Sequence, residues 1–563
     1  MPEPPTNPAA PPPRATSRQV AWFLTVAVVV GLLLRVPLLG RPLWFDEVCM
    51  SKQWIGTWEQ LLAALYVDIH PPLFLCFMHC WDGVFGDGEL SLRLPPLLAG
   101  LACIPLLHWT GHRLVGQTAA SWAVVLLTLS PVHIWYSAEA RLYTPMLACL
   151  LLCVGTFDRL LDPERPRRRW LVVLHVANVA VMLALHYYLA VYVALLAALA
   201  PVVARGFGAR TWRVIVWHGI GLVLLTGFVF AKAALGEFQV AQDYLRAMTA
   251  GEFYRLVFDW CLSGYVLDPI EGSAGAVAAV ARIAIGALLL PLGLWHVWRQ
   301  RSHHRAGFLV PVCLLAIPVF LWASAATGLG KTYQERSALT ALPFVLLLAG
   351  SGLATLTRGL QQAAGVFVLL FCCVCLVALA RFHETHWTVY KPNSDWRTAA
   401  YYLSQEIASG GAGRPVFTST PNARPLSYYE ARIQDVKSLT QARDPASLGN
   451  SVRKHLGDAL GDYAERCFST LLARNQELLS GAALRIHPSA SDPDKLFVYR
   501  PGYGGSSLAP VEDFFICYLV RDEWHPHVSK DSSVEDLLRH PRVKVLEAKH
   551  FTGMSVYKVR IQR

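Results

Sequence analysis

From residue 19 onward the chain alternates between long apolar runs and short polar connections. Eleven runs approach the roughly 20 residues needed to cross a hydrocarbon core: Gln19–Leu39, Leu92–Leu107, Ala119–Tyr136, Leu142–Leu161, Trp170–Leu185, Tyr187–Ala204, Ile215–Ala233, Ala276–Val297, Phe308–Ala326, Ala338–Leu356 and Ala364–Ala380. A further segment, Pro71–Phe85, is shorter and contains His79 and Asp82, so it predicts an interfacial or re-entrant helix. From about Arg381 the pattern changes to strand-like alternation at Val416–Thr420, Phe514–Val520 and Ser555–Ile561, with a helical period at Trp396–Ile407. The pattern therefore predicts an α-helical integral membrane protein with about eleven transmembrane helices, followed by a small α/β domain.

Arginine sets the expected orientation. Arg113, Arg165 to Arg169, Arg205 to Arg213, Arg299 to Arg305 and Arg358 all fall on one side if Pro71–Phe85 does not cross, and that side is cytoplasmic by the positive-inside rule. The opposite, outer face then carries Gly40–Ser91, Ser137–Arg141, the break at His186, Leu235–Gly275, Thr327–Arg336 and everything after Arg381. Met1–Pro13 is Pro-rich and predicts disorder. The first run lacks a small-residue cleavage site and predicts a retained anchor. The expected division is residues 1–18 as a cytoplasmic N-terminus, 19–381 as the membrane domain and 382–563 as an extracytoplasmic domain.

Composition agrees and narrows the function. The 563 residues are 54% hydrophobic and 16% charged, against about 25% charged in ordinary soluble domains, which excludes a conventional soluble enzyme. The net charge of +11 arises from arginines beside the apolar runs, so nucleic acid is not an expected partner. Of the thirteen cysteines, the one pair at C-x-x-C spacing, Cys372 and Cys375, lies inside an apolar run where thiols pack as small hydrophobes, which argues against a zinc or redox motif. Cys467 and Cys517 are the cysteines of the C-terminal domain, and an oxidising compartment would permit a disulfide between them.

The polar residues of the outer face carry the candidate chemistry. Asp46-Glu47 follows the first run, and a carboxylate pair can supply a general base with an orienting or metal-binding neighbour. Taken alone, the pair also fits a solvated loop. His70-Pro71-Pro72-Leu73 opens the short helix, where His70 can meet a phosphate or tune a carboxylate. Glu139-Ala140-Arg141-Leu142-Tyr143 puts an acid, a base and a phenol at a run's end; snorkelling explains Arg141, as it does Arg35 and Arg93, but not Glu139. His186-Tyr187-Tyr188 breaks two runs and fits an aromatic belt, while Glu335-Arg336 places a fixed cation on the same face.

Together Asp46-Glu47, His70-Pro71-Pro72-Leu73, Arg93-Leu94-Pro95-Pro96 and Tyr136 to Tyr143 resemble the opening third of the GT-C membrane glycosyltransferases, of the family 39 type that includes bacterial protein-mannosyltransferase-like and aminoarabinose-transferase-like enzymes. His186-Tyr187 and Glu335-Arg336 extend the likeness over most of the membrane part. The resemblance implies inverting transfer of one sugar from a polyprenyl phosphate donor to a lipid, glycan or protein acceptor at the extracytoplasmic face. The setting it implies is a bacterial plasma membrane. It implies Asp46 as general base, with Glu47 and Glu139 as further acidic groups of the site. His70, Arg93, Arg141, Tyr143, His186, Tyr187, Glu335 and Arg336 would line the donor site. Some relatives use a divalent metal, for which Asp46, Glu47 and Glu139 are suitable hard ligands. The competing reading is a multi-pass transporter or flippase, which calls for charges in mid-helix and an internal repeat.

Overall fold

The structure is a computed structural model. It describes residues 16–68, 70–164, 166, 168–234, 247–264, 266–267, 272–304, 306–328, 333, 335–384, 395–406, 416–418, 426, 428–429, 485–489, 492–499, 513–518, 543–551 and 554–561. Met1–Pro13 and Cys467, with the expectations placed on them, lie outside these residues.

The membrane part is helical throughout. It begins with α1 (Ser17–Arg35), whose start Thr16 and Gln19 close as a reciprocal capping box. Three short helices follow, α2 (Phe45–Trp54), α3 (Trp58–Val67) and α4 (Leu73–Phe85), and then the long α5 (Glu89–Val115). The pair α6 (Gln117–Leu129) and α7 (Pro131–Ser137) is bent by 61°. Ser130 caps α7 and Pro131 opens it, the two residue types that favour starting a new helix over continuing the old one. Next come α8 (Tyr143–Leu161), α9 (Arg169–Leu185), α10 (Leu189–Ala204) and α11 (Ala209–Ala234). A short stretch of α12 (Ala250–Tyr254), a π turn and α13 (Cys261–Ser263) leads to α14 (Gly272–Arg299), α15 (Leu309–Ala326), α16 (Leu342–Thr355) and α17 (Arg358–Glu384).

Each of the eleven predicted runs is helical, although Ala119–Tyr136 is divided between α6 and α7 and Ala338–Leu356 begins in a 3₁₀ turn before α16. By length and composition eight qualify as membrane spans among the described residues, or nine with the bent pair, and α9 and α10 are shorter apolar helices. The chain is a multi-span membrane protein. Short helices were expected in the loop before α5; the sequence placed one of them, at Pro71–Phe85 (α4), and the structure adds α2 and α3. Their sequences carry their own start signals: Glu47 accepts from the Trp44 N–H at the head of α2, and Thr57 with Gln60 caps α3.

The core lies where α16 is clasped by its neighbours. Every residue from Leu342 to Leu353 is buried. A Cβ on Gly352 would come within 2.2 Å of the Leu289 carbonyl oxygen, and one on Gly293 within 2.0 Å of that of Leu348. Only glycine lets α14 and α16 cross this closely, the small-residue packing by which membrane helices gain contact without a hydrophobic driving force.

Beyond α17 lie α18 (Trp396–Glu406) and six strands: β1 (Val416–Thr418), β2 (Arg485–Ser489), β3 (Asp492–Tyr499), β4 (Asp513–Tyr518), β5 (Val543–Phe551) and β6 (Met554–Ile561). One sheet has the order β1-β4-β6-β5, with β1 parallel to β4 and the other pairs antiparallel, and β2 and β3 form a separate antiparallel pair. Trp396, Ala399, Ala400 and Leu403 of α18 pack with Leu426 and Val556 in a second small core. This matches the mixed α/β composition predicted after Arg381.

Candidate active site

Two buried arginines organise the end of the bundle that carries Asp46. Arg93, on α5, is fully buried and directs its five N–H bonds inward: to the carbonyls of Leu39 (2.7 Å), Arg41 (2.5 Å) and Pro42 (3.2 Å), and to both carboxylate oxygens of Glu47 (2.9 and 2.7 Å). Glu47 is likewise fully buried, and its carboxylate also accepts from the N–H of Trp44 (3.1 Å) and of Ala140 (2.7 Å). Burial works to raise the Glu47 carboxyl, but the charge of Arg93 and its bonds outweigh it and hold the group below its ordinary value. A paired charge of this kind is a fixed joint between α2, α5 and the Glu139 turn. It overturns the snorkelling expected of Arg93. Arg35 is also fully buried, donating to the Gly31 carbonyl (2.7 Å) and meeting His133 Nδ1 at 2.6 Å.

Asp46 points elsewhere because successive residues of a helix turn by about 100°. Its Oδ2 is ion-paired with Arg336 Nη1, and Arg141 Nη1 donates to its carbonyl at 3.2 Å. Both side chains of the Asp46–Arg336 pair are partly exposed, at 17% and 18%. Arg336 stands on the 3₁₀ turn Glu335–Ala341 before α16. Glu335 opens that turn, and its side chain is not among those described. Lys331, Thr332 and Gln334 lie outside the described residues.

Glu139 sits between α7 and α8, fully buried, with Oε1 accepting from the Trp44 indole at 2.8 Å and Oε2 without a hydrogen-bond partner among the described residues. Burial, and then the nearby Glu47 charge, push its carboxyl up to about 7 despite Arg141 and Arg41. Arg141 is buried and reaches the Tyr143 hydroxyl at 3.4 Å, with its Nε unpartnered among the described residues.

Beside this group lies an imidazole cluster. His70 takes its position from Asp68, whose Oδ1 accepts from the His70 N–H (2.6 Å) and meets ring Nδ1 at 2.9 Å. Burial raises the Asp68 carboxyl, but the His70 ring and N–H bring it below its ordinary value. The His70 and His186 rings stand edge to face at 5.8 Å. His186 Nδ1 accepts from the Tyr188 N–H at 3.1 Å, and burial beside His70 and Arg141 depresses the imidazole to about 3, so it is neutral. Burial pushes Tyr187 up to about 12, with the Asp68 charge adding to it. The structure thus brings Asp46, Arg141, Tyr143 and Arg336 together with Glu139, places His70 and His186 against Arg141's side of the group, and gives Glu47 and Arg93 to the joint beneath.

Six contributors were absent from the predicted site. Arg41 stacks on Trp135 with 3.4 Å to the ring centroid and donates to the Ala138 carbonyl. Trp44 holds Glu139, Asp68 holds His70, and Lys232 Nζ, near the end of α11, donates to the Leu65 and Asp68 carbonyls. Tyr429 of the C-terminal region donates to Glu89 (2.5 Å) and accepts from the Leu43 N–H (2.6 Å), while Arg397 reaches Glu89 and the Gly40 carbonyl. A signal existed for Lys232, a lone ammonium inside an apolar run, and for Asp68, two residues before a histidine. None existed for Tyr429, whose partners are 340 and 386 residues away.

The three carboxylates expected to suit a divalent metal each have another partner: Glu47 has Arg93, Asp46 has Arg336 and Glu139 has Trp44. Among the described residues, the set of His, Cys and acidic donors that does converge within metal-ligand distances lies elsewhere.

Residues 69–231 match the model of the family described as dolichyl-phosphate-mannose-protein mannosyltransferase. The undecaprenyl phosphate-alpha-4-amino-4-deoxy-L-arabinose arabinosyl transferase of Edwardsiella ictaluri is 23% identical over 385 residues, which span 63% of this chain and 66% of that protein, slightly under two thirds of its length. Among solved structures the chain is similar to ArnT from Cupriavidus metallidurans in the apo state (14% identity, 96% of this chain, 98% of that one, TM-score 0.46). It is also similar to the Archaeoglobus fulgidus oligosaccharyltransferase tethered with an acceptor peptide (10% identity, 96% and 89%, TM-score 0.48). Both sequence matches, over residues 69–231 and over 385 residues, are thus to proteins named as transferring a sugar from a polyprenyl phosphate, and the chain is similar to them.

Proposed function

We propose that the protein transfers a single sugar from a polyprenyl phosphate donor to an acceptor hydroxyl or similar nucleophile, with inversion, at the extracytoplasmic face of a bacterial inner membrane. The observation that carries this reading is the Asp46–Arg336 ion pair with Arg141 bound to the same residue. It is a carboxylate and two fixed cations, partly open to solvent in an otherwise buried setting. A donor phosphate competes with Asp46 for Arg336, because guanidinium binds phosphate at least as readily as carboxylate. Its arrival frees the carboxylate, which then takes the acceptor's proton as the nucleophile attacks the anomeric carbon. The bond from that carbon to the phosphate oxygen breaks, and Arg336 and Arg141 stabilise the leaving phosphate.

The other residues have supporting roles in this scheme. Glu47 and Arg93 set the position of α2. Glu139, protonated below about 7, offers a hydrogen bond to the bound sugar or acceptor. His70, held by Asp68, and neutral His186 flank the donor phosphate, while Tyr143 and Tyr187 wall the site. We extend the proposal to the division of labour: residues 19–381 perform catalysis, and 382–563 help to choose among lipid, glycan and protein acceptors.

The test is transfer of label from a panel of polyprenyl phosphate sugars to membrane extract by the purified protein in lipid. Wild type should transfer and Asp46→Asn should lose at least about 10³-fold, the upper part of the range for a positioned base. Equal transfer by Asp46→Asn rules out the base assignment, and donor binding abolished in Arg336→Gln but kept in Asp46→Asn supports the phosphate role.

A further inference from the structure

Away from Asp46, three helices bring metal-ligating side chains together inside the bundle. Cys153 on α8, His175 on α9 and His218 on α11 are all fully buried, and their donor atoms lie within 4.8 Å of one another. At 1.5 Å of rise per residue, Cys153 is about 15 Å along α8 from Tyr143, so this is a separate place.

Hydrogen bonds fix which ring nitrogens are free. Thr156 Oγ1 lies 2.7 Å from the Leu152 carbonyl, 3.0 Å from that of Cys153 and 2.7 Å from His175 Nδ1. A hydroxyl has one hydrogen and carbonyls only accept, so Thr156 donates to the backbone and accepts from His175 Nδ1–H. His175 Nε2 is therefore a bare lone pair, and it faces His218 Nε2 at 3.0 Å. With the His218 proton on Nδ1, beside the Val193 backbone carbonyl, two lone pairs oppose each other. With it on Nε2 the rings hydrogen-bond, but Nδ1 becomes a buried acceptor with no aligned partner among the described residues. A cation between the two Nε2 atoms removes both conflicts, and Cys153 Sγ supplies a third ligand.

We propose that Cys153, His175 and His218 form a three-coordinate site for Cu(I). Thiolate is a soft ligand that selects Cu(I), and imidazole suits copper and zinc alike. Charge separates the two metals. Cu(I) with one thiolate and two neutral imidazoles is neutral, whereas Zn²⁺ in the same set leaves a net positive charge in an apolar interior, which is costly. Binding breaks the Cys153 S–H bond, forms the S–Cu bond and releases the proton to buffer, with no change of oxidation state. Thr156 is the outer partner that aims His175.

The experiment loads the purified full chain in detergent with Cu(I) under reducing, anaerobic conditions, and separately with Zn²⁺, then dialyses and counts metal by plasma mass spectrometry. The expected result is about one copper retained per chain, with a copper-edge absorption spectrum showing two nitrogens and one sulfur, as the ligand set dictates. Cys153→Ser and His218→Ala should each lose most of that copper while eluting as wild type does. Should they fail to fold, Thr156→Val keeps all three ligands but leaves His175 unaimed, and is expected to weaken copper retention at least about tenfold. Copper lost from wild type on dialysis, zinc retained in preference to copper, or full copper retention by Cys153→Ser each overturns the site.

Discussion

Glu47 and Asp46 are neighbours in sequence and opposites in environment. One is sealed against Arg93, the other meets Arg336 at a partly open surface. Their adjacency was legible, and so was the cost of placing two carboxylates beside a membrane helix. Which one turns inward depends on α2 being a helix and on a guanidinium 46 residues further on, and no local pattern encodes that. Arg93→Lys tests the joint: an ammonium has three donors where five are used. We expect a stability loss toward the 3–5 kcal/mol typical of breaking a buried pair (about 3 kcal/mol is decisive), read as a fall in the denaturation midpoint in detergent. Glu139 gives a pH signature. Its carboxyl is raised from the ordinary 4.5 to about 7, so its ionised form is the destabilised one. Its stabilising contribution is complete below about 4.5 and is lost as pH rises through about 7. Glu139→Gln mimics the protonated form, so it should gain on wild type as pH rises from about 4.5 to 7, by on the order of 3 kcal/mol, with little further gain above about 8. Equal pH dependence in the two proteins would remove the raised carboxyl from the account.

At the scale of elements, the long helices were legible from apolar runs alone, because in a bilayer every backbone group must be satisfied within its own segment. The short helices α2 and α3 were not. α2 and α3 have mixed composition and are held by caps and by packing on α4, and the bend before α7 hides within one apolar run at Ser130-Pro131. The docking of the C-terminal region was invisible for a different reason: it rests on single hydrogen bonds between residues hundreds of positions apart. Tyr429 holds the Leu43 N–H and Glu89 at once, three residues before Asp46. Tyr429→Phe removes both bonds and should lower kcat about tenfold, equivalent to about 1.4 kcal/mol, with donor affinity little changed. A change in donor affinity alone, with kcat intact, would show that this clasp does not position the acidic loop.

At the scale of the whole molecule, α16 is the post against which the other helices lean. It is buried from end to end of Leu342–Leu353, and its crossing with α14 depends on glycines meeting backbone carbonyls. Gly352→Val forces that crossing apart. We expect the protein to lose its monodisperse fold in detergent or to melt at least about 5 °C lower, as for other overpacked cores. Gly359→Val, where an added Cβ meets nothing within 4 Å, serves as the control and should melt as wild type. This dependence was beyond sequence reading, since a glycine in an apolar run looks the same whether it faces lipid or a carbonyl.

The distance along the chain between Asp46 and Arg336, 290 residues, also sets a schedule. Ribosomes add roughly 5–20 residues per second, so the carboxylate waits on the order of 15–60 s for its arginine, while Glu47 meets Arg93 within seconds. The joint is thus assembled almost at birth and the Asp46–Arg336 pair only when nine-tenths of the bundle has been made. A nascent chain stalled before Arg336 should already protect Glu47 from carboxyl-modifying reagents yet leave Asp46 open to them. If both are protected alike, some earlier partner shelters Asp46 during synthesis. On the proposed reading, delay of this kind keeps a half-built enzyme from acting on the lipid-linked sugars around it.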